Sequence, residues 1–124
     1  MSARDDMRRL LEEDDPPFDE VMACVFGIGG REVRTYLALL ERPGSTVEEL
    51  AGALERDRSN VNRSLANLRD LDLAYRERRL LDSGGYVYQY SAEDLPETKD
   101  RLHDALDRWV ESVHDRIDAF GDEA

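Results

Sequence analysis

The side chains best suited to touching another molecule lie together between Arg58 and Asn67. In the stretch DRSNVNRSLANL (57–68), Val61, Leu65 and Leu68 recur at helical spacing and form one inward apolar stripe. Arg58, Ser59, Asn60, Asn62, Arg63 and Asn67 occupy the other side. Guanidinium, hydroxyl and amide groups of this kind hydrogen-bond to base edges and phosphate oxygens. No acid occurs from Arg58 through Arg69, although a surface helix in an acidic chain would ordinarily carry Glu and Asp. Asp57 stands at the N-cap position, where a carboxylate accepts the unpaired N–H groups of the first turn. The stretch therefore predicts a capped helix with a nucleic-acid-reading face. Asn60, Asn62 and Arg63 are expected at base edges, and Arg58 and Ser59 at bases or adjoining phosphate.

Other reactive side chains are sparse. Cys24 is the sole cysteine, so no intrachain disulfide can form. It lies on the flank of the apolar stripe of its segment, and two readings stand beside each other. One is a passive small apolar residue; the other is a redox-responsive thiol that forms a sulfenic acid, a small-thiol adduct or a disulfide across a dimer. His103 and His114 are eleven residues apart, not at ligand spacing, and no nucleophile–base pair or metal-ligand cluster is evident. The glycine run at 27–30 follows a helical segment rather than a strand and is not a dinucleotide fingerprint. Catalytic residues, metal ligands, cofactors and small-molecule ligands are therefore not expected.

The elements that must position the reading face follow from periodicity. Residues 1–17 form an N-terminal arm in which Met7, Leu10 and Leu11 share one side, ended by Asp14-Asp15-Pro16-Pro17. Residues 18–26 predict a short helix with Phe18, Val21, Met22, Val25 and Phe26 as its core face. Residues 31–41 predict a second helix burying Val33, Tyr36, Leu37 and Leu40. Ser45-Thr46 followed by Glu48-Glu49 is a capping-box signature, and Val47, Leu50, Ala51 and Leu54 bury the helix that it opens. Two short helices separated by a few residues, the second polar outside, form a helix-turn-helix pattern.

Residues 72–91 predict a β-hairpin with a loop at 82–85, so that Leu81 pairs with Tyr86. That register places Tyr86, Tyr88 and Tyr90 on the face that packs on the helices. Arg76 and Arg78 are then expected on the opposite, outward face, beside DNA backbone. From 94 to 120 a long helix carries Leu102, Leu106, Trp109, Val113, Ile117 and Phe120 in one stripe opposite an acidic side. A stripe of that length needs a partner, and the same helix of a second chain is the simplest one. The expected architecture is mainly α with a β-hairpin wing (α+β): an arm at 1–17, a winged helix-turn-helix at 18–93 and a dimerisation helix at 94–120.

Charge sharpens this reading. The chain has 124 residues, 17 basic and 29 acidic, for a net charge of −12, and Lys99 is its one lysine. Abundant Asp and Glu with almost no Lys predict a halophilic source, where a strongly hydrated acidic surface preserves solubility in molar salt. From Arg56 to Arg79, seven arginines face four acids, net +3, which leaves −15 for the remainder. A basic island on an acidic surface is the electrostatic footprint of nucleic-acid binding. The longest apolar run, Val21 to Phe26, is far too short to span a membrane, so a cytoplasmic, soluble protein is expected.

The segment FGIGGREVRTYLALLERPGSTVEELAGALERDRSNVNRSLANLRDLDL resembles the winged-helix domain of TrmB-like regulators of archaea and, more distantly, MarR-like ones. The likeness covers roughly Phe26 to Ser91, most recognisably Tyr36-Leu37-Ala38-Leu39-Leu40, Leu50-Ala51 and Arg58-Ser59-x-Val61-x-Arg63. Where many such domains have a glycine after the reading helix, this chain has Asp72. The resemblance implies a dimeric transcription regulator that binds a partly palindromic double-stranded DNA site. It implies no sugar ligand, because the sugar-binding C-terminal domain of larger members has no counterpart in these residues. The chain is also similar to short halophilic members that act as thiol-based oxidative-stress regulators, in which Cys24 is the matching position. A winged helix can instead serve as a protein-interaction module, and the acid-free face is the feature that favours DNA.

Overall fold

A computed structural model of the chain describes residues 16–122. The arm expected at 1–17, with Met7, Leu10 and Leu11, lies almost wholly outside the described residues. Seven elements follow in order: α1 (Phe18–Phe26), α2 (Gly30–Glu41), α3 (Val47–Leu54), α4 (Arg58–Asp70), β1 (Ala74–Leu80), β2 (Tyr86–Ala92) and α5 (Leu95–Ala119). This is an α+β winged helix, with α3 and α4 as the helix-turn-helix and the β1–β2 hairpin as the wing.

Local chemistry explains most boundaries. Gly27 ends α1 at φ 69°, a left-handed conformation that a residue without Cβ adopts at little cost. The capping box forms as expected: Glu49 N–H donates to Thr46 Oγ1 at 3.2 Å, and Thr46 N–H donates to Glu49 Oε1 at 3.1 Å. Those bonds, chiefly the backbone one from Thr46, hold the Glu49 carboxyl below its ordinary value. Asp57 does occupy the N-cap position of α4, but its side chain makes no capping hydrogen bond there.

The core is smaller than the stripes suggested. Met22, Val33, Tyr36, Leu39, Leu50, Val61, Leu65, Leu68 and Leu73 are all at most 1% exposed. Of the face expected on α1, only Met22 is fully enclosed; Val21, Val25 and Phe26 are half-buried and Phe18 is 36% exposed. On α3 only Leu50 is fully buried. On α2 the buried set is Val33, Thr35, Tyr36 and Leu39, while Leu37 and Leu40 are half-buried. Helix α2 runs behind the reading helix and carries the polar Thr35 into the interior.

The wing departs from expectation by one residue. Leu80, not Leu81, pairs with Tyr86, and Arg78↔Tyr88 and Arg76↔Tyr90 follow down the ladder. The loop is 81–85, closed by Leu81 N–H to Gly85 O at 3.1 Å and Gly84 N–H to Leu81 O at 3.0 Å. Because faces alternate with period two, the shift moves Arg76 and Arg78 onto the tyrosine face. Tyr90 also exchanges backbone hydrogen bonds with Ser45, donating at 2.7 Å and accepting at 3.1 Å, which fixes the base of the wing to the α2–α3 turn.

Candidate nucleic-acid interface

Helix α4 is positioned by one arginine at its entry and another at its exit. Arg56, in the turn before α4, donates to Thr35 Oγ1 on α2 at 3.1 Å, to Asn60 O at 3.1 Å and to Ser64 Oγ at 2.9 Å. Thr35 and Ser64 are buried hydroxyls, so Arg56 satisfies groups that would otherwise be costly to enclose. At the exit, Asp72 takes the left-handed conformation at φ 58°. Leu73 N–H reaches Leu68 O at 2.9 Å and Asp72 N–H reaches Arg69 O at 3.0 Å, the paired bonds of a Schellman closure. Asp72 thus fills the structural role of the glycine found in many such domains. Arg101, from α5, donates to the carbonyls of Leu71 and Asp72, the latter at 2.8 Å. It also pairs with Glu93 at 3.0 Å and lies over the Phe26 ring at 5.7 Å from its centroid.

The face expected to read bases is largely exposed. Ser59, Asn62 and Arg63 are open to solvent, and among the described residues neither Asn62 nor Arg63 is engaged by another side chain. Arg58 is exposed and forms an ion pair with Glu48 at 3.3 Å. Asn60 is half-buried, its carbonyl held by Arg56. Asn67 donates to Glu32 Oε1 at 2.9 Å, so its amide is already committed to α2. The structure therefore brings Ser59, Asn62 and Arg63 together as the open part of the face and sets Asn67 aside.

The wing contributes a cleft of about 590 Å³ against α4, lined by Ala66, Arg69, Asp70, Asp72, Ala74 and Tyr75, and by Arg76, Arg78 and Tyr88. Arg76 lies over the Tyr88 ring at 4.0 Å and Arg78 over Tyr86 at 4.9 Å. Arg76 also donates to the Tyr90 hydroxyl at 3.4 Å, which raises its already high pKa. The arginines expected to point outward are instead turned toward the reading helix. Arg69 was not singled out as a contact; its place in the basic island between Arg56 and Arg79 was its only sign. Arg31 and Arg34, three residues apart on exposed positions of α2, were missed as well. They border a depression with Arg56 and Asn60 at the start of α4.

Away from this surface, Cys24 is partly exposed on α1. Leu102, placed by its spacing in the dimerisation stripe, is 7% exposed and packs within its own chain at the base of α5. The rest of that stripe is open: Leu106 is 37% exposed, Trp109 49%, Ile117 63% and Phe120 84%, and Val113 is half-buried. Among the described residues, no helix is long and apolar enough to cross a membrane.

A family model described as the sugar-specific transcriptional regulator TrmB matches residues 22–95, more than half of the chain. The chain belongs to the TrmB family. The TrmB match spans the helix-turn-helix, the wing and the first residue of α5. Two uncharacterised proteins of Methanocaldococcus jannaschii are each 35% identical to this TrmB-family chain. One, MJ1503, aligns over 96 residues (77% of this chain, 73% of the relative), and MJ1082 over 95 residues (77% and 78%). Among solved structures, a possible transcriptional regulator from Methanosarcina mazei Go1 superposes with TM-score 0.75 at 21% identity, covering 83% of this chain and 88% of that one. ST1889 of Sulfolobus tokodaii gives 0.64 at 24% identity, with 76% and 92% covered. A mutant of S. aureus MepR bound to an oligodeoxyribonucleotide gives 0.54 at 16%, with 97% and 85% covered. At these identities the structural likeness concerns the fold.

Proposed function

We propose that this TrmB-family chain is a sequence-specific DNA-binding transcription regulator that acts as a homodimer. The observation that carries the reading is the open face of α4, without an acid from Arg58 through Arg69, where Ser59, Asn62 and Arg63 stand exposed on a helix fixed at both ends. The oligodeoxyribonucleotide bound by the MepR mutant supports the same partner for this fold. Helix α4 enters a major groove, Asn62 and Arg63 meet base edges, and Arg58, Ser59 and Asn60 contact bases or the adjoining backbone. A second copy, docked through Leu106, Trp109, Val113, Ile117 and Phe120, places another α4 about 34 Å away in the next major groove.

The acidic, lysine-poor composition supports a halophilic setting, in which counterion release contributes little and direct readout carries more of the affinity. Cys24 supplies a redox input. It lies on α1, which packs against both α2 and the base of α5, so oxidation there shifts the two reading helices relative to one another. Binding to a pool of random duplexes tests the central claim. The wild-type protein should enrich a partly palindromic site, and Arg63→Ala should weaken binding to that site by about tenfold or more while leaving the oligomeric state unchanged. No enrichment by the wild-type protein overturns the DNA reading. Cys24→Ser should abolish any change in binding caused by peroxide; an unaltered response rules out the thiol as the sensor.

A further inference from the structure

The wing arginines are stacked as well as basic. Tyr86, Tyr88 and Tyr90 follow one another along a single face of β2, with edge-on ring contacts of 5.4 Å and 6.5 Å between centroids. Arg76 and Arg78 alternate with them from the paired strand, each over a ring. A guanidinium over a ring gives the ring its π face and keeps its N–H donors in its own plane, available to a second partner. Such stacking restricts a long, flexible side chain before any ligand arrives, so less freedom is lost when the ligand binds. The cleft that these two residues line also contains Arg69, Asp70 and Asp72. Three guanidiniums against two carboxylates leave a charge of +1, which the single negative charge of one phosphodiester neutralises.

We propose that Tyr86 and Tyr88 are positioning residues that hold Arg78 and Arg76 ready, together with Arg69, for one backbone phosphodiester of a DNA strand passing between the wing and α4. This rests on the DNA-regulator reading and goes beyond it, because it assigns a role to side chains that do not themselves touch DNA. Prepaid ordering matters most where salt weakens the Coulombic attraction of arginine for phosphate.

The test is a double-mutant cycle on the exposed pair, read as dissociation constants for the enriched duplex by fluorescence anisotropy, with thermal melts as folding controls. Tyr86 is 50% exposed, so its replacement leaves the core intact. Tyr86→Phe keeps a ring and is expected to bind as wild type. Tyr86→Leu keeps apolar bulk without a ring and is expected to lose about two- to fivefold per wing. Arg78→Ala is expected to lose at least as much, and adding Tyr86→Leu to it should cost nothing further. A merely structural tyrosine gives losses that add, and additive losses overturn the proposal, as does Tyr86→Phe behaving like Tyr86→Leu or Tyr86→Leu binding as wild type. A wild-type protein that binds no DNA fails the regulator reading first and removes this proposal with it.

Discussion

Arg56 and Arg58 are two residues apart in the same basic island, yet their surroundings give them opposite roles. Arg56 bridges two buried hydroxyls and a backbone carbonyl, and Arg58 meets Glu48 in open solvent. Arg56→Ala should lower stability by about 2–3 kcal/mol in chemical denaturation, because it leaves Ser64 without its charged donor and Thr35 with only its bond to the Arg31 carbonyl. Arg58→Ala should change stability by well under about 1 kcal/mol while weakening DNA binding. Asp72 makes a further case. It bears the strain of a left-handed residue, and its contact with Arg101 runs through the backbone carbonyl. Asp72→Gly should therefore stabilise the protein by about 0.5–1 kcal/mol, and a loss of stability would mean that the carboxylate itself contributes. Tyr36 titrates in the alkaline range. Burial, before any other influence, raises its pKa, and its hydroxyl lies 2.8 Å from Thr98 Oγ1 and 3.1 Å from the Glu93 carbonyl. A group raised in the folded state contributes stability that is whole below the ordinary phenol value of about 10 and is lost as pH climbs through the folded value. Tyr36→Phe should cost about 1 kcal/mol at neutral pH and flatten the alkaline limb of a melting-temperature profile.

Among the elements, α3 shows a boundary set by local chemistry and the wing shows one that is not. Thr46→Ala should cost about 1 kcal/mol through loss of the cap. Glu49 is held below its ordinary value, so the stability it contributes is present above the unfolded carboxylate value of about 4.3 and lost as pH falls through the folded one. The penalty of Glu49→Gln should therefore shrink in melts carried out below that range. Capping boxes, helix periods and the α3–α4 spacing were legible because each depends on neighbours within a turn or two. The hairpin register was not. Asp82-Ser83-Gly84-Gly85 offers a plausible four-residue turn, and nothing local separates it from the five-residue loop that forms. What separates them lies at the other end of the ladder: Ala74 pairs with Ala92 and both are buried, and that base, with Arg76 and Arg78 at period two from Ala74, decides which face the arginines occupy. The same limit hid Arg56 and Asn67. Asn67 read as an amide on the DNA-facing side and Arg56 only as one charge of the basic island, and their partners Glu32 and Thr35 are 35 and 21 residues away along the chain.

For the whole molecule, the open stripe on α5 sets the expected assembly. Replacing Ile117 or Phe120 by Asp should yield monomers in analytical ultracentrifugation while leaving the melting temperature of the winged helix nearly unchanged, since both side chains are mostly exposed already. Affinity for a full palindromic site should then fall to that for a half-site. Helix α5 has 25 residues and is about 37 Å long, and from near its base Arg101 grips the carbonyls of Leu71 and Asp72, in the turn that closes α4. That grip makes the long helix a lever with its fulcrum beside the reading head. A tilt of about 5° sweeps the far end through about 2–3 Å while moving the gripped carbonyls by a small fraction of that. In the proposed dimer, gearing of this kind runs in both directions. Coarse changes in how two α5 tips pack become fine adjustments of pitch between the reading heads, and a DNA site whose half-sites are slightly too close or too far apart is resisted through a long mechanical arm.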